Sequence, residues 1–166
     1  MFQGFWKELK KPIMALAPMH DVTETVFRRL IARRGGPDVM FTEFVSTEGL
    51  AHPASRPKLI HRYLGFTAEE RPLVAQIWGT NPDHFESTAR LIVELGFDGV
   101  DLNMGCPERS AVKHGACSAL IENPELAKVL IRATQRGVEG KISVSVKTRL
   151  GFRENTIEEW IKHILE

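Results

Sequence analysis

Apolar residues in this chain fall into short unbroken runs, separated by stretches in which they recur every three or four positions. The runs read as strands buried on both faces and the periodic stretches as helices with one covered face. The pattern predicts a strand over 12–17, a helix from Val22 to Arg34 broken by Gly35-Gly36-Pro37, and a second strand over 39–44. A polar, poorly periodic stretch follows from about Ser46 to Arg71. Its length within one domain predicts a helical turn or a functional loop rather than a structureless connection. The third strand, 73–78, leads through Gly79 into a helix with Asn81 as N-cap, Pro82 in the first turn and Phe85, Ala89, Ile92 and Leu95 on one face, closed by Gly96. A fourth strand runs to Asn103, a helix from Pro124 to about Arg136 is capped by Asn123, and 142–147 is the fifth strand. A last amphipathic segment carries Ile157, Trp160, Ile161 and Ile164.

Continuous apolar strands alternating with amphipathic helices define an α/β chain of right-handed β-α-β units on a parallel sheet. With 166 residues, 43% hydrophobic and 26% charged, the chain has enough length for one ordinary core and no composition shift marking a second domain. The net charge of +1 provides no global field for nucleic acid, so any such contact must be local. No run is long enough to span a membrane. The start, Met1-Phe2-Gln3-Gly4-Phe5-Trp6-Lys7, lacks the charged and apolar regions of a leader, and the chain has only two cysteines. Both features lead us to expect a cytoplasmic protein.

Chemically distinctive side chains, most of them polar, gather where each expected strand finishes. They are Met19 and His20, Thr42 and Glu43, Gln76, Asn103 and Cys106, then Lys147 and Arg149. Carboxyl ends of parallel strands share one face, so these residues converge if the strands form one sheet. Singly, each has a plain alternative: Gln76 bonding a neighbouring backbone, Glu43 a solvated strand end, Lys147 and Arg149 pairing with surface carboxylates, Cys106 a small buried filler. The turn Asn103-Met104-Gly105-Cys106-Pro107 presents a thiol, with Gly105 expected to give backbone freedom and Pro107 to stop the ladder. Cys106, His114 and Cys117 do not have zinc spacing, and no metal is expected. The chain has no Gly-x-Ser-x-Gly elbow, His-Glu-x-x-His, phosphate loop or Gly-x-Gly-x-x-Gly. An amide from Gln76 and a cation from Lys147 suit the polar edge of a bound heterocycle, with Cys106 as acid or nucleophile.

In order and spacing these residues resemble the flavin-dependent tRNA-dihydrouridine synthases. The resemblance runs from about Pro12 to Gly151. It rests on Ala17-Pro18-Met19 with Val22-Thr23, Thr42-Glu43, Pro72 through Gly79, Asp101-Leu102-Asn103-Met104-Gly105-Cys106-Pro107, Gly115-Ala116 through Leu120, and Val146-Lys147-Thr148-Arg149-Leu150-Gly151. Dihydroorotate dehydrogenases and other flavin barrels share part of this plan.

The resemblance implies an FMN enzyme that reduces the C5=C6 bond of uridines in tRNA, with NADPH as reductant. Ala17, Pro18 and Met19 would line the flavin ring, and Gln76 and Lys147 would bond its polar edge. Asn103 would place the uracil, Cys106 would protonate C5, and Arg149 would sit beside substrate or flavin. Cys117 stands where the family commonly has glycine, and Ser110 where it often has a basic residue; neither is expected to touch the proposed acid. It also implies a TIM (β/α)₈-type barrel, which needs about 250 residues. The present chain would be its N-terminal portion, with about five strand-helix units. A later His, the flavin-phosphate strands and a helical tRNA-binding domain would lie outside it, and open sheet edges would favour self-association. An FMN barrel acting on a free pyrimidine and a non-catalytic fragment are the alternatives.

Overall fold

Five strands lie side by side in the order in which they occur along the chain, the short third one pairs separately with the fourth, and every ladder is parallel. In chain order the strands are β1 (Ala15–Leu16), β2 (Val39–Phe41), β3 (Val45–Ser46), β4 (Leu73–Trp78), β5 (Gly99–Met104) and β6 (Ser143–Thr148). The helices between them are α1 (Thr25–Ala32), α2 (Thr47–Ala51), α3 (Arg56–Tyr63), α4 (Pro82–Glu94), α5 (Arg109–Lys113), α6 (Pro124–Val138) and α7 (Ile157–Leu165). These residues belong to a computed structural model that describes residues 4–165; Met1-Phe2-Gln3, the first part of the segment read for a leader, and Glu166 lie outside it. Doubly wound sheets reverse their strand order at a switch point, whereas this order never reverses. The chain is therefore an incomplete TIM-type barrel of strand-helix units. Among the described residues, no helix is long and apolar enough to cross a membrane.

Helix packing covers the convex face of the sheet. Leu73, Ala75, Ile77, Val100 and Leu102 form one core with Phe85, Ala89 and Ile92 of α4 and Leu130 and Ala133 of α6. Gly137 has a packing reason: a Cβ there would come within 2.7 Å of the Ala89 side chain, so only glycine lets α6 approach α4. Asn81 caps α4 by accepting from the Asp83 and His84 N–H groups, and Asn123 caps α6 by accepting from Leu126, as the sequence indicates.

On the concave face, Val39, Phe41 and Val74 pack against Phe5, Trp6 and Ile13. The 3₁₀ turn Gly4–Lys7 thus covers the amino-terminal end of the sheet, where the Trp6 indole N–H donates to Ser143 Oγ at 3.2 Å.

Two expectations need correction. The strand over 12–17 shrinks to Ala15–Leu16, because β1 has a single neighbour and Pro12 and Pro18 on either side cannot donate to a ladder. The strand over 39–44 shortens to β2, and pairing resumes only at β3, just beyond it. At the break the Gln76 N–H donates to Thr42 Oγ1 at 3.1 Å, a side chain taking the place of a ladder carbonyl. The polar stretch from 46 to 71 holds α2, α3 and a 3₁₀ turn at Ala68–Glu70.

A buried ion pair ties this connection to α1. Arg28 is 1% and Glu70 0% exposed. The guanidinium donates to Glu70 Oε2 at 2.7 Å, to the Thr23 carbonyl at 2.6 Å and to the Gly65 carbonyl at 3.0 Å. Glu70 also accepts from Thr25 Oγ1 and from the Thr67 backbone N–H. Burial pulls the Arg28 pKa below its ordinary value, opposed by Glu70.

Candidate functional site

Register decides which polar side chains meet. Gln76 on β4 pairs with Asp101 on β5, which pairs with Ser145 on β6, and Asn103 pairs with Lys147 one step nearer the carboxyl ends. Strand side chains alternate, so these five share the concave face, opposite the helix-packed core. Gln76 Nε2 donates to Asp101 Oδ2 at 2.6 Å, and Ser145 Oγ donates to Asp101 Oδ1 at 2.6 Å. Asn103 Nδ2 donates to Gln76 Oε1 at 3.2 Å, while Asn103 Oδ1 accepts the N–H groups of Gly105 at 3.1 Å and Cys106 at 3.0 Å. One chain of hydrogen bonds therefore runs from a buried carboxylate to the backbone of the cysteine.

Gln76 and Asn103 both belong to this network. The Lys147 ammonium, exposed at the end of β6, makes no hydrogen bond among the described residues, although its charge acts on Asp101. Arg149 is exposed beyond β6 and does not join the network. Met19 is partly exposed, and Ala17-Pro18-Met19 lies on the loop after β1. That loop is fixed by Glu43, which is a buried carboxylate and not a solvated strand end. Glu43 accepts from the Asp21 N–H at 2.6 Å and from Arg62 Nη1 at 2.7 Å, and Arg62 also reaches Asp21. His20, Asp21 and Glu43 bring possible ligand atoms within 4.8 Å of one another, but Arg62 already sits on both carboxylates.

Cys106 is half-buried beside a small cluster of Ala111, Ala116 and Cys117, to which Trp78 also packs. Cys117 thus adjoins the proposed acid, contrary to expectation. It takes a left-handed φ of 55°, which explains why glycine suits that position. Burial, reinforced by Cys106, pushes its thiol up to about 12, so it stays protonated at neutral pH. Gly105 is required for space rather than for conformational freedom: a Cβ there would come within 3.2 Å of the Thr148 backbone. A separate cavity of about 240 Å³, lined by residues such as Ile121, Phe152, Trp160 and His163, lies away from this network.

The sequence reading passed over Asp101 and Ser145. A charged residue inside an apolar strand, two positions before Asn103, was the available signal. Burial pushes the Asp101 carboxyl up to about 6, against the opposing pull of Ser145, Gln76 and Lys147. An acid whose pKa rises on folding holds its proton more tightly in the native state. Its contribution to stability is complete below the unfolded pKa, about 3.9, and is lost as pH climbs through the folded value. Unfolding free energy is expected to fall by roughly 3 kcal/mol between acid and neutral pH through this group. Asp101→Asn should remove that part of the slope in urea titrations run across the range; an unchanged slope would refute the assignment.

Comparison with known proteins shows the family. The family model described as dihydrouridine synthase (Dus) matches residues 15–165. A probable tRNA-dihydrouridine synthase of Staphylococcus aureus (strain COL) is 44% identical over 167 residues, covering all of this chain and 50% of the relative. A probable tRNA-dihydrouridine synthase 2 of Bacillus subtilis (strain 168) gives the same identity and coverage. Among solved structures, a variant of NCR from Zymomonas mobilis superposes with a TM-score of 0.57 at 16% identity, covering 92% of this chain and 60% of that one, a likeness of fold alone. The chain belongs to the dihydrouridine synthase family. It spans about half the length of the curated relatives it matches.

Proposed function

We propose that this chain is the N-terminal part of the catalytic barrel of a tRNA-dihydrouridine synthase, reducing the C5=C6 bond of a uridine in tRNA with FMN as cofactor and NADPH as reductant. The single observation that carries this reading is the convergence of Gln76, Asn103, Lys147 and the Cys106 turn at the carboxyl ends of adjacent strands.

The donor set fits a flavin. Gln76 has one N–H and one oxygen lone pair left after its bonds to Asp101 and Asn103, and the Lys147 ammonium has all its donors available to the polar edge of a ring. Ala17, Pro18 and Met19 supply an apolar edge on a loop held by Glu43. Bound FMN would supply the hydride. The protein's own task is to hold a uracil, extruded from its stack, against Asn103 and to deliver the Cys106 proton to C5. Lys147 stabilises negative charge that develops on the polar edge it faces. Arg149, exposed at the rim, is suited to a phosphate or ribose of the incoming RNA. The remaining strands, the flavin-phosphate site and a tRNA-gripping domain belong to the rest of the barrel, and the open edges of β1 and β6 are where a chain lacking it self-associates. A cytoplasmic location accords with a tRNA substrate.

The test is to incubate the purified full-length protein, with the rest of the barrel in place, with FMN, NADPH and unmodified tRNA, then digest the RNA and measure nucleosides by mass spectrometry. Dihydrouridine is expected from tRNA, and no product from free uracil or dihydroorotate. A colourless full-length protein that takes up no FMN, or one that reduces free pyrimidines without RNA, overturns the reading.

A further inference from the structure

Resting on that reading of the site, we infer that Asp101 is a positioning residue: from the buried end of the network it sets the amide orientations of Gln76 and Asn103, and through them it holds the backbone of Cys106. The argument is one of donors and acceptors. An ionised carboxylate offers acceptors only, and Asp101 is fixed on its other side by the Ser145 hydroxyl at 2.6 Å and by the Lys147 backbone. Gln76 must therefore turn its NH₂ toward Asp101, which leaves its oxygen facing Asn103. Asn103 then turns its own NH₂ toward Gln76 and its oxygen toward the turn, where it receives two N–H groups.

The reversed arrangement fails at the last step. If Gln76 presented its NH₂ to Asn103, the Asn103 oxygen would turn toward it, and the Asn103 NH₂ would face the N–H groups of Gly105 and Cys106, donors against donors. A single carboxylate thus gives direction to a chain of amides that could otherwise run either way. It touches neither the reacting carbons nor the thiol, so its action is indirect.

Hydrogen exchange read by NMR at the Gly105 and Cys106 amides tests this without cofactor or RNA. Asp101→Ala is expected to speed exchange at both by roughly three- to tenfold, the loss of about one net hydrogen bond, with Val100 and Leu102 unchanged. Asp101→Asn is expected to restore protection in part, because its oxygen can still face Gln76, while its NH₂ meets the Ser145 hydroxyl but opposes the Lys147 N–H. A folded Asp101→Ala protein with the original protection at both amides overturns the inference. If that variant does not fold, Gln76→Ala decides: faster exchange at the turn supports the relay, and unchanged exchange overturns it. Failure to form dihydrouridine while exchange follows this pattern would sink the proposed function and leave the positioning role standing.

Discussion

Cys106→Ala is expected to lower turnover on tRNA by about 10²- to 10⁴-fold, the range over which a positioned general acid contributes. On the proposed mechanism, flavin binding and flavin reduction by NADPH in the full-length protein should be unaffected, because the thiol would deliver a proton only in the half-reaction with uridine. The loss would therefore appear in stopped-flow traces as slow reoxidation of reduced enzyme by tRNA, after reduction at the normal rate. Cys106→Ser is expected to recover little, since a hydroxyl is a much weaker acid than a thiol. Cys117→Ala serves as the comparison: that thiol is buried and held protonated, and its loss should leave reoxidation as it was. Reoxidation within a few-fold of the original rate in Cys106→Ala would remove the thiol from the mechanism.

Glu70→Ala is expected to be the most damaging substitution for stability, at about 3–5 kcal/mol, because it strands a guanidinium that is 1% exposed. That is a large share of the roughly 5–15 kcal/mol by which domains are stable. The midpoint in urea should fall while the slope stays constant. Replacing both partners, Arg28→Met with Glu70→Leu, should cost much less than either single change, since no charge remains buried. A Glu70→Ala midpoint close to that of the parent protein would show that the pair is expendable. The surface cluster of Arg29, Arg33 and Glu69 offers a contrast. Hydrogen bonds from both arginines hold the Glu69 carboxyl down at about 2, but exposed pairs of this kind contribute little.

Much of the architecture was legible because β4 and β5 are continuous apolar runs and because Asn81 and Asn123 announce their helices. Strand ends and helix caps depend on local chemistry that a sequence displays directly. The early end of β2 was not visible, since nothing in the run 39–44 reveals that Thr42 Oγ1 takes over a ladder acceptor. Attention to strand ends singled out Gln76, Asn103, Cys106 and Lys147 but passed over Asp101, which meets Gln76 and Ser145 only through the register of neighbouring strands. Of the two readings left open for Glu43, the solvated strand end fails for a related reason: its partner, Arg62, comes from a helix that periodicity did not locate. Arg149 fits the family pattern, yet its geometry places it outside the network.

The aromatic cover formed by Phe5 and Trp6 under the concave face bears on how protons travel. Asp101 itself is only 1% exposed, so its carboxyl meets little solvent even with the mouth of the sheet open. Anything seated over Gln76 and Asn103 would screen it further and slow the passage of its hydrogen to bulk water.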